Sequence, residues 1–235
     1  MSSGELAPGQ ATADGPPRGR AARVPTTKHR RGRLTPRQIR GLGSSSPWLI
    51  PAQALPDALA AWSGEVVADI GFGTGEAVAE LAREEPGRLV LAIDMHTPGI
   101  GDVLARLAEE GLGNVRVVDA DAREVLELHV PAGTLAGVRT FFPDPWPKKR
   151  HHRRRLIQPS FVETVAAAVQ PGGFWHLATD WSDYADAICG ILEASPRWRG
   201  GVIERPSWRP TTRYERRGEL AGRAPIDLWW IRVES

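Results

Sequence analysis

The sequence has one cysteine and no long apolar run, and each of these features excludes certain classes of protein. Cys189 is the only cysteine among 235 residues, which excludes an intrachain disulfide and a cluster of cysteine zinc ligands. No apolar stretch reaches the roughly 18 residues of a membrane-spanning helix, and the first residues lack the apolar core of a secretory signal. We therefore expect a cytoplasmic protein with no membrane association and no metal site.

Acidic residues are missing from two segments in which basic residues are dense. Residues 18–40 contain nine Arg or Lys side chains, residues 148–155 contain six, and neither segment holds an acid. The rest of the chain carries 15 basic and 28 acidic residues, so the net charge of +2 conceals an acidic body with two basic segments. This distribution favours a polyanionic partner, although either segment alone also fits a solvated tail or a charged helix start.

Short apolar runs alternate with helical periods from Val66 onward, which is typical of repeated strand and helix units. The predicted strands are Val66–Ile70, Leu89–Asp94, Val115–Asp119, Gly137–Phe142 and Gly173–Thr179. The predicted helices are Glu76–Glu84, Gly101–Glu110, Ala122–Leu128, Pro159–Val169 and Tyr184–Ala194. The alternation predicts an α/β fold with a mostly parallel sheet and helices on both faces.

The regions on either side of this pattern differ from it. Composition predicts a disordered tail over residues 1–25, a basic arm over residues 26–45 and a folded domain over residues 46–235. Near the other end, Gly201–Glu204 and Asp227–Val233 predict an antiparallel hairpin. The intervening residues 206–224 are too many and too polar for a tight turn, so we expect a functional loop there.

Gly71, Gly73 and Gly75 lie where the first strand gives way to the first helix. Glycine lets the backbone approach a ligand closely, and the carboxyl edge of a parallel sheet is the usual binding crevice; a tight turn is the plainer alternative. A dinucleotide-binding loop would have its third glycine where this chain has Glu76. Because a carboxylate at a helix start disfavours a pyrophosphate, S-adenosylmethionine fits better than a nicotinamide cofactor.

Three acids stand at or just beyond the ends of the first three predicted strands. Asp69 is placed to accept from the ammonium of such a cofactor, Asp94 to accept from both ribose hydroxyls, and Asp121 to bond the adenine amino group. Each acid singly is equally compatible with a helix cap or a solvated loop. Three of them beside a glycine loop favour a binding site, and the order of elements resembles the class I methyltransferase fold.

The run from Phe141 to Lys149 places one carboxylate between two prolines and ahead of a tryptophan and a basic block. Proline fixes its own φ and donates no hydrogen bond, so Pro143 and Pro145 hold Asp144 in a stiff loop at the end of a strand. The alternative is a proline-rich turn with solvated charges. The combination of a rigid acid, an aromatic ring and cations favours a functional site for a phosphate-bearing substrate.

Together these motifs resemble the bacterial tRNA (guanine-N7-)-methyltransferase family, from about Arg30 to Val233. The resemblance rests on the glycine loop, the Phe-Phe-Pro-Asp-Pro-Trp run, Ala178–Trp181 and Arg209–Gly218. It implies a class I S-adenosylmethionine-dependent methyltransferase domain over residues 46–235, with methyl transfer to N7 of the variable-loop guanine at tRNA position 46. It implies tRNA as the partner, and no protein partner is evident.

The resemblance also implies site residues. Asp69, Asp94, Asp121 and Asp144 would line the cofactor site with Gly71 and Gly73, and Asp144 would be the catalytic residue. The implied tRNA contacts are Lys148, Asp180, Thr212, Arg213, Tyr214 and Glu215. In this chain Asp69 and Asp94 stand where the family usually has glutamate, so we expect longer or water-mediated contacts to the cofactor.

The predicted chemistry is an in-line displacement that needs no general base, because guanine N7 carries a lone pair and no proton. Asp180 and Glu215 could accept from guanine N1–H and the 2-amino group, which would exclude adenine. Two alternatives stay open: a methyltransferase that acts on a small molecule or a protein, and a non-catalytic RNA-binding relative.

Overall fold

The computed structural model describes Met1, residues 33–43 and residues 46–234. Its strands are β1 (Val66–Ile70), β2 (Leu89–Asp94), β3 (Val115–Asp119), β4 (Leu135–Phe141), β5 (Val169–Thr179), β6 (Trp198–Ile203) and β7 (Ile226–Arg232). Its α-helices are α1 (Pro36–Gly43), α2 (Leu55–Ala60), α3 (Glu76–Glu84), α4 (Thr97–Glu110), α5 (Ala122–Leu128), α6 (Pro159–Ala168), α7 (Ser182–Glu193) and α8 (Arg213–Leu220). Two 3-10 helices cover Ala52–Ala54 and Lys149–Arg154.

The seven strands form one sheet in the order β3-β2-β1-β4-β5-β7-β6. Strands β1 to β5 pair in parallel, and β7 pairs antiparallel with both β5 and β6. The predicted α/β fold with a mostly parallel sheet and an antiparallel C-terminal pair is confirmed. Because β1 lies between β2 and β4, the direction of winding reverses there, and a crevice opens at the carboxyl ends of these strands.

The central strands are buried along nearly their whole length, as expected for a sheet covered on both faces. One face packs a large apolar cluster that includes Phe161 on α6 and Tyr184 on α7. The other face packs against Val78 on α3 and Val103 on α4. Among the described residues, no helix is long and apolar enough to cross a membrane.

Helix α1 is the first difference from the sequence prediction, because it forms inside the segment expected to be a basic arm. It packs closely on α4, where Gly41 leaves no room for a Cβ against the carbonyl of Gly101. Arg37 adds ion pairs with Asp102 at 3.3 Å and Glu109 at 2.8 Å. Residues 26–32 and 44–45 of the predicted arm and nearly all of the predicted disordered tail lie outside the described residues.

The prediction of an irregular loop over residues 206–224 was wrong in part, because α8 lies within it. This helix has no apolar face: its buried residues are Glu215 and Gly218. It begins with a cap, in which Thr212 Oγ1 accepts from Glu215 N at 3.1 Å. A helix held by a cap and ion pairs carries no hydrophobic period, so the sequence pattern does not reveal it.

Helix α2 and the two 3-10 helices were not predicted, and the remaining differences concern element ends. Strands β4 and β5 and helices α4 and α7 begin two to four residues earlier than predicted, and β6 begins at Trp198 rather than Gly201. The pairing of β6 with β7 is confirmed, but β7 also pairs with β5 and therefore lies inside the sheet.

Candidate active site

A cavity of about 450 Å³ opens at the carboxyl edge of the sheet, where the strand order reverses. The ends of β1, β2 and β3 form one wall, residues 142–146 form a second, and residues from α8 and the turn after it form a third. Its polar and charged lining residues are Asp94, His96, Asp121, Asp144, Arg154, Asp180, Tyr214, Arg217 and Arg223. The lining of the cavity therefore combines four carboxylates with three arginines.

The glycine loop between β1 and α3 borders this cavity and uses glycine for two separate reasons. Gly75 is the N-cap residue of α3. Its φ of 70° is a left-handed backbone conformation that residues other than glycine rarely adopt. Gly73 has a φ of 62°, and a Cβ there would lie 2.8 Å from Cε2 of Tyr214. The loop is therefore packed directly beneath the first turn of α8, which the sequence does not show.

Asp94 ends β2 at the cavity wall and fixes the backbone around it. Its Oδ2 accepts from Gly73 N at 2.8 Å, and its Oδ1 accepts from Met95 N at 2.7 Å and His96 N at 2.9 Å. Burial raises the pKa of Asp94, and these hydrogen bonds oppose the rise. Each carboxylate oxygen can accept a second bond, so the residue can still bind hydroxyl groups from the cavity.

Asp121 both caps a helix and lines the cavity. Its Oδ1 accepts from Arg123 N at 2.9 Å and from Glu124 N at 3.4 Å at the start of α5. The plainer interpretation of this acid, a helix cap, is therefore confirmed, and the same side chain borders the cavity.

Asp69 faces away from the large cavity, in contrast to Asp94. Side chains alternate along a strand, so the neighbouring Ile70 lines the large cavity and Asp69 points to the other face of β1. Asp69 lines a second cavity of about 20 Å³, which shares Gly71 and Tyr214 with the first. Its Oδ2 is buried and has no hydrogen-bond partner within the described part of the chain.

Burial raises the pKa of Asp69 to about 7, although Arg139 opposes the rise. Arg139 is the register partner of Asp69 on β4, and its Nη2 binds both oxygens of Glu85, at 2.7 and 2.9 Å. The carboxylate of Asp69 is thus desolvated near a cation that is already paired.

The wall formed by residues 142–146 is a strained loop. Phe142 has a φ of 54° and Trp146 a φ of 44°, and both precede a proline. A left-handed conformation costs about 1–3 kcal/mol at a residue other than glycine and persists only where the surroundings impose it. Asp144 lies between these two residues, exposed, with its side chain on the cavity wall.

The 3-10 helix Lys149–Arg154 holds this loop from outside. The guanidinium of Arg154 lies 4.9 Å from the ring centre of Trp146, and Arg155 Nε donates to the carbonyl of Pro145 at 2.9 Å. Arg155 belongs to the basic segment 148–155, but it is buried and pairs with Asp183, so it braces the loop and is not free to bind a polyanion. Lys148, Lys149, Arg150 and Arg153 are exposed, and none of them lines the cavity.

Asp180 follows β5 and lines the large cavity. Its Oδ2 accepts from Arg223 Nε at 2.7 Å. Tyr214 is 44% exposed and lines both cavities, whereas Arg213 lines only the smaller one. The structure therefore brings Asp94, Asp121 and Asp144 together with Asp180 and Tyr214.

Glu215 is placed differently from its sequence prediction. Its carboxylate is buried and binds Arg209 through two hydrogen bonds, at 2.8 and 2.9 Å, and Arg205 at 2.6 Å. Arg209 Nε also lies 2.7 Å from Oδ1 of Asp227, which is 2.8 Å from His176 Nε2. In this structure Glu215 secures α8 to β7 and does not border the large cavity.

Sequence reasoning missed this buried network and the arginines Arg217 and Arg223. The sequence feature that pointed to this region was the polar character of residues 206–224. It indicated a functional segment but did not predict the helix within it. Within the described ranges, no group of three or more His, Cys, Asp or Glu side chains is arranged to hold a metal ion.

Comparisons with known proteins agree with this geometry. A family described as putative methyltransferase matches residues 63–228. A tRNA (guanine-N(7)-)-methyltransferase of Alkalilimnicola ehrlichii is 50% identical over 172 residues, which cover 72% of this chain and 73% of the relative. The same-named protein of Chromohalobacter salexigens is 39% identical and covers 99% of this chain and 98% of its own length.

Among solved structures, an rRNA methylase from Streptococcus thermophilus superimposes with a TM-score of 0.52. It covers 76% of this chain and 93% of that chain at 16% identity, so it supports the fold alone.

Proposed function

The chain belongs to the tRNA (guanine-N(7)-)-methyltransferase family, and from that membership we propose that it transfers a methyl group from S-adenosylmethionine to N7 of a guanine in tRNA. The target is the variable-loop guanine at position 46. The observation that carries the proposal is the convergence of Asp94, Asp121, Asp144 and Asp180 on one cavity. Residues 148–155, which we call the basic turn, adjoin this cavity through Arg154.

The large cavity fits S-adenosylmethionine in size and chemistry. A volume of about 450 Å³ is within the range of about 300–1,000 Å³ found for small-molecule sites. Asp94 would accept from the ribose hydroxyls, and Asp121 from the adenine amino group. Glu76, at the start of α3, pairs with Arg216 at 2.8 Å, so this helix start already holds a carboxylate and suits a cofactor without phosphate.

Asp69 would contact the amino-acid end of the cofactor through the smaller cavity. About 20 Å³ is enough for one water molecule. A water there would bridge the unpaired Oδ2 of Asp69 to an ammonium group near Gly71 and Tyr214, which both cavities share.

S-adenosylmethionine supplies an electrophilic methyl group when it is bound, and the chain's task is to align guanine N7 with it. Asp144 is the exposed carboxylate of the cavity wall, held by two prolines. There it would orient the reacting groups and stabilise the positive charge that develops on the guanine ring.

The guanine base would be read by Asp180, because Glu215 is buried in ion pairs with Arg205 and Arg209. Exposed Lys148, Lys149, Arg150 and Arg153 would bind tRNA phosphates beside the cavity. Thr212 caps α8 and lines the smaller cavity, and Tyr214 lines both cavities, so these two residues would act through the start of α8 beside the cofactor.

The test is methyl transfer from labelled S-adenosylmethionine to an unmodified tRNA transcript, with the product mapped by chemical cleavage at 7-methylguanine. We expect label at a single variable-loop guanine. Asp144→Ala should lower kcat by a factor on the order of 10² or more while the melting temperature stays the same, since the residue is exposed.

The matched control is Asp186→Ala, an exposed aspartate on α7 outside the cavity, which should leave methylation unchanged. Near-normal turnover by Asp144→Ala would remove Asp144 from the reaction. Absence of label on every tRNA, with cofactor binding intact by calorimetry, would contradict the tRNA assignment and favour a small-molecule or protein substrate.

A further inference from the structure

Among the described carboxylates of the cavity wall, Asp180 alone is held by a side chain from beyond α8. Its Oδ2 accepts from Arg223 Nε at 2.7 Å, and no function has been assigned above to Arg223. Resting on the proposed function, we propose that Arg223 is a positioning residue that fixes the Asp180 carboxylate for recognition of guanine.

The backbone around Arg223 is arranged to deliver this contact. Arg223 N donates to the carbonyl of Gly218 at 2.9 Å, which closes the turn after α8, and Gly222 within that turn has a φ of 72°. The guanidinium carbon of Arg223 lies 5.3 Å from the ring centre of Trp181, the residue after Asp180. The arginine is therefore held by the turn beneath it and by a ring beside its target.

Gly218 closes a second side of the same carboxylate. A Cβ at this buried glycine would lie 2.6 Å from Oδ2 of Asp180 and 3.1 Å from its Cγ, so α8 packs its backbone directly on Asp180. With Arg223 on Oδ2 and the helix against the side chain, rotation of the carboxylate is restricted. Such restriction matters because a contact that recognises a base edge loses its value when the acceptor is free to turn.

The other oxygen is left for a ligand. Across residues 33–43 and 46–234, Oδ1 of Asp180 accepts no hydrogen bond, and the residue lines the large cavity. An ionised carboxylate only accepts hydrogen bonds. Oδ1 would therefore accept from the 2-amino group of guanine, a donor that adenine lacks, so the orientation of the carboxylate determines which base is accepted.

A simpler role for Arg223 would be a contact with a tRNA phosphate, since its side chain is 38% exposed. The two roles differ in what they change. A phosphate contact contributes to affinity and to the dependence on salt, whereas a positioning contact contributes to kcat and to discrimination between bases.

The experiment compares Arg223→Ala and Arg223→Lys with Arg197→Ala in the full-length protein. Arg197 is the matched control because it is 36% exposed and pairs with Glu163 at 3.3 Å. Each variant is assayed on a tRNA transcript that carries guanine at the target position and on one that carries inosine there, which lacks only the 2-amino group. Salt dependence of tRNA binding and cofactor affinity by calorimetry are measured alongside.

We expect wild type to prefer guanine over inosine by about 10-fold or more in kcat/KM. Arg223→Ala should lower kcat on guanine by about 10-fold and shrink that preference, with the salt slope and the cofactor affinity unchanged. Arg223→Lys should restore part of both effects because it keeps a donor beside Asp180, and Arg197→Ala should match wild type.

A higher KM with normal kcat, together with a salt slope reduced by about 0.7–0.9, would identify Arg223 as a phosphate contact and overturn the proposal. An unchanged guanine preference in both Arg223 variants would also overturn it, and should Arg223→Ala fail to fold, Arg223→Lys alone decides. If wild type methylates neither transcript, the proposed function fails instead, so the two failures are distinguishable.

Discussion

Asp69 is the penultimate residue of β1 and Asp94 the last residue of the neighbouring β2, and yet they occupy different environments. The carboxylate of Asp94 holds three backbone N–H groups at the large cavity, whereas Oδ2 of Asp69 is buried without a partner among the described residues. The sequence predicts both acids near the cofactor. The bounds of β1 were predicted correctly, so the alternation of side chains along the strand places Asp69 and Ile70 on opposite faces. The sequence does not show that the large cavity opens on the side of Ile70.

The raised pKa of Asp69 predicts how the free energy of unfolding depends on pH. The folded protein holds a proton on Asp69 up to a pKa of about 7, and the unfolded chain releases it near the ordinary pKa of 3.8. The folded state therefore binds more protons than the unfolded state between these values, and this residue lowers the free energy of unfolding as pH rises through that window.

Asp69→Asn should remove that slope. Thermal unfolding followed from pH 5 to 8 should show the variant gaining stability relative to wild type as pH rises, by at most a few kcal/mol above pH 7. Asp186→Asn, at an exposed site, should show the same pH profile as wild type. Parallel curves for Asp69→Asn and wild type would contradict the burial of an unpaired carboxylate.

At the scale of elements, α8 shows how a functional helix can be stable without an apolar face. Its buried contacts are the ion pairs of Glu215 with Arg205 and Arg209 and the close packing of Gly218. The strands and the helices α3 to α7 were predictable because apolar periods reveal elements that bury them. Helix α8 was not predictable, because long-range ion pairs leave no local pattern.

Glu215→Ala should therefore detach α8. Removing this carboxylate leaves the buried Arg209 with Asp227 but without Glu215, and it deprives Arg205 of its ion pair. We expect a cost of up to about 3–5 kcal/mol. Hydrogen exchange should show reduced protection over residues 213–220, along with a lower melting temperature. Glu219→Ala, an exposed position on the same helix, should leave both measurements close to wild type, and equal protection in the two variants would refute the role of the buried pair.

At the scale of the whole molecule, only part of the basic charge identified in the sequence lies on the protein surface. Of the six basic residues at 148–155, four are exposed, Arg154 packs on Trp146, and Arg155 is buried. The fold class and the cavity that joins Asp94, Asp121 and Asp144 were predictable, because strand ends of a parallel sheet share one edge. Which cations brace the loop and which remain free depends on packing that composition does not contain.

The exposed part of the basic turn predicts the salt dependence of tRNA binding. The logarithm of the association constant should fall linearly with the logarithm of salt concentration, and removal of one cation that binds a phosphate should reduce the slope by about 0.7–0.9. Lys149→Ala and Arg153→Ala should each have this effect.

The control for the salt experiment is Arg88→Ala, because Arg88 precedes β2 at the edge of the sheet opposite the cavity. Its slope should match that of wild type. Binding that does not depend on salt would contradict an electrostatic interface at the basic turn.

The position of β7 between β5 and β6 has a consequence for synthesis of the chain. Both neighbours of β7 are translated before it. A nascent chain that has reached residue 203 therefore contains β5 and β6 but not yet the strand that pairs with both of them. The unpaired edge of β5 then lies open beside Trp175 and Leu177, which are fully buried once the sheet is complete. During that interval the open edge of β5 is available for pairing with other polypeptides, and pairing with β7 removes it.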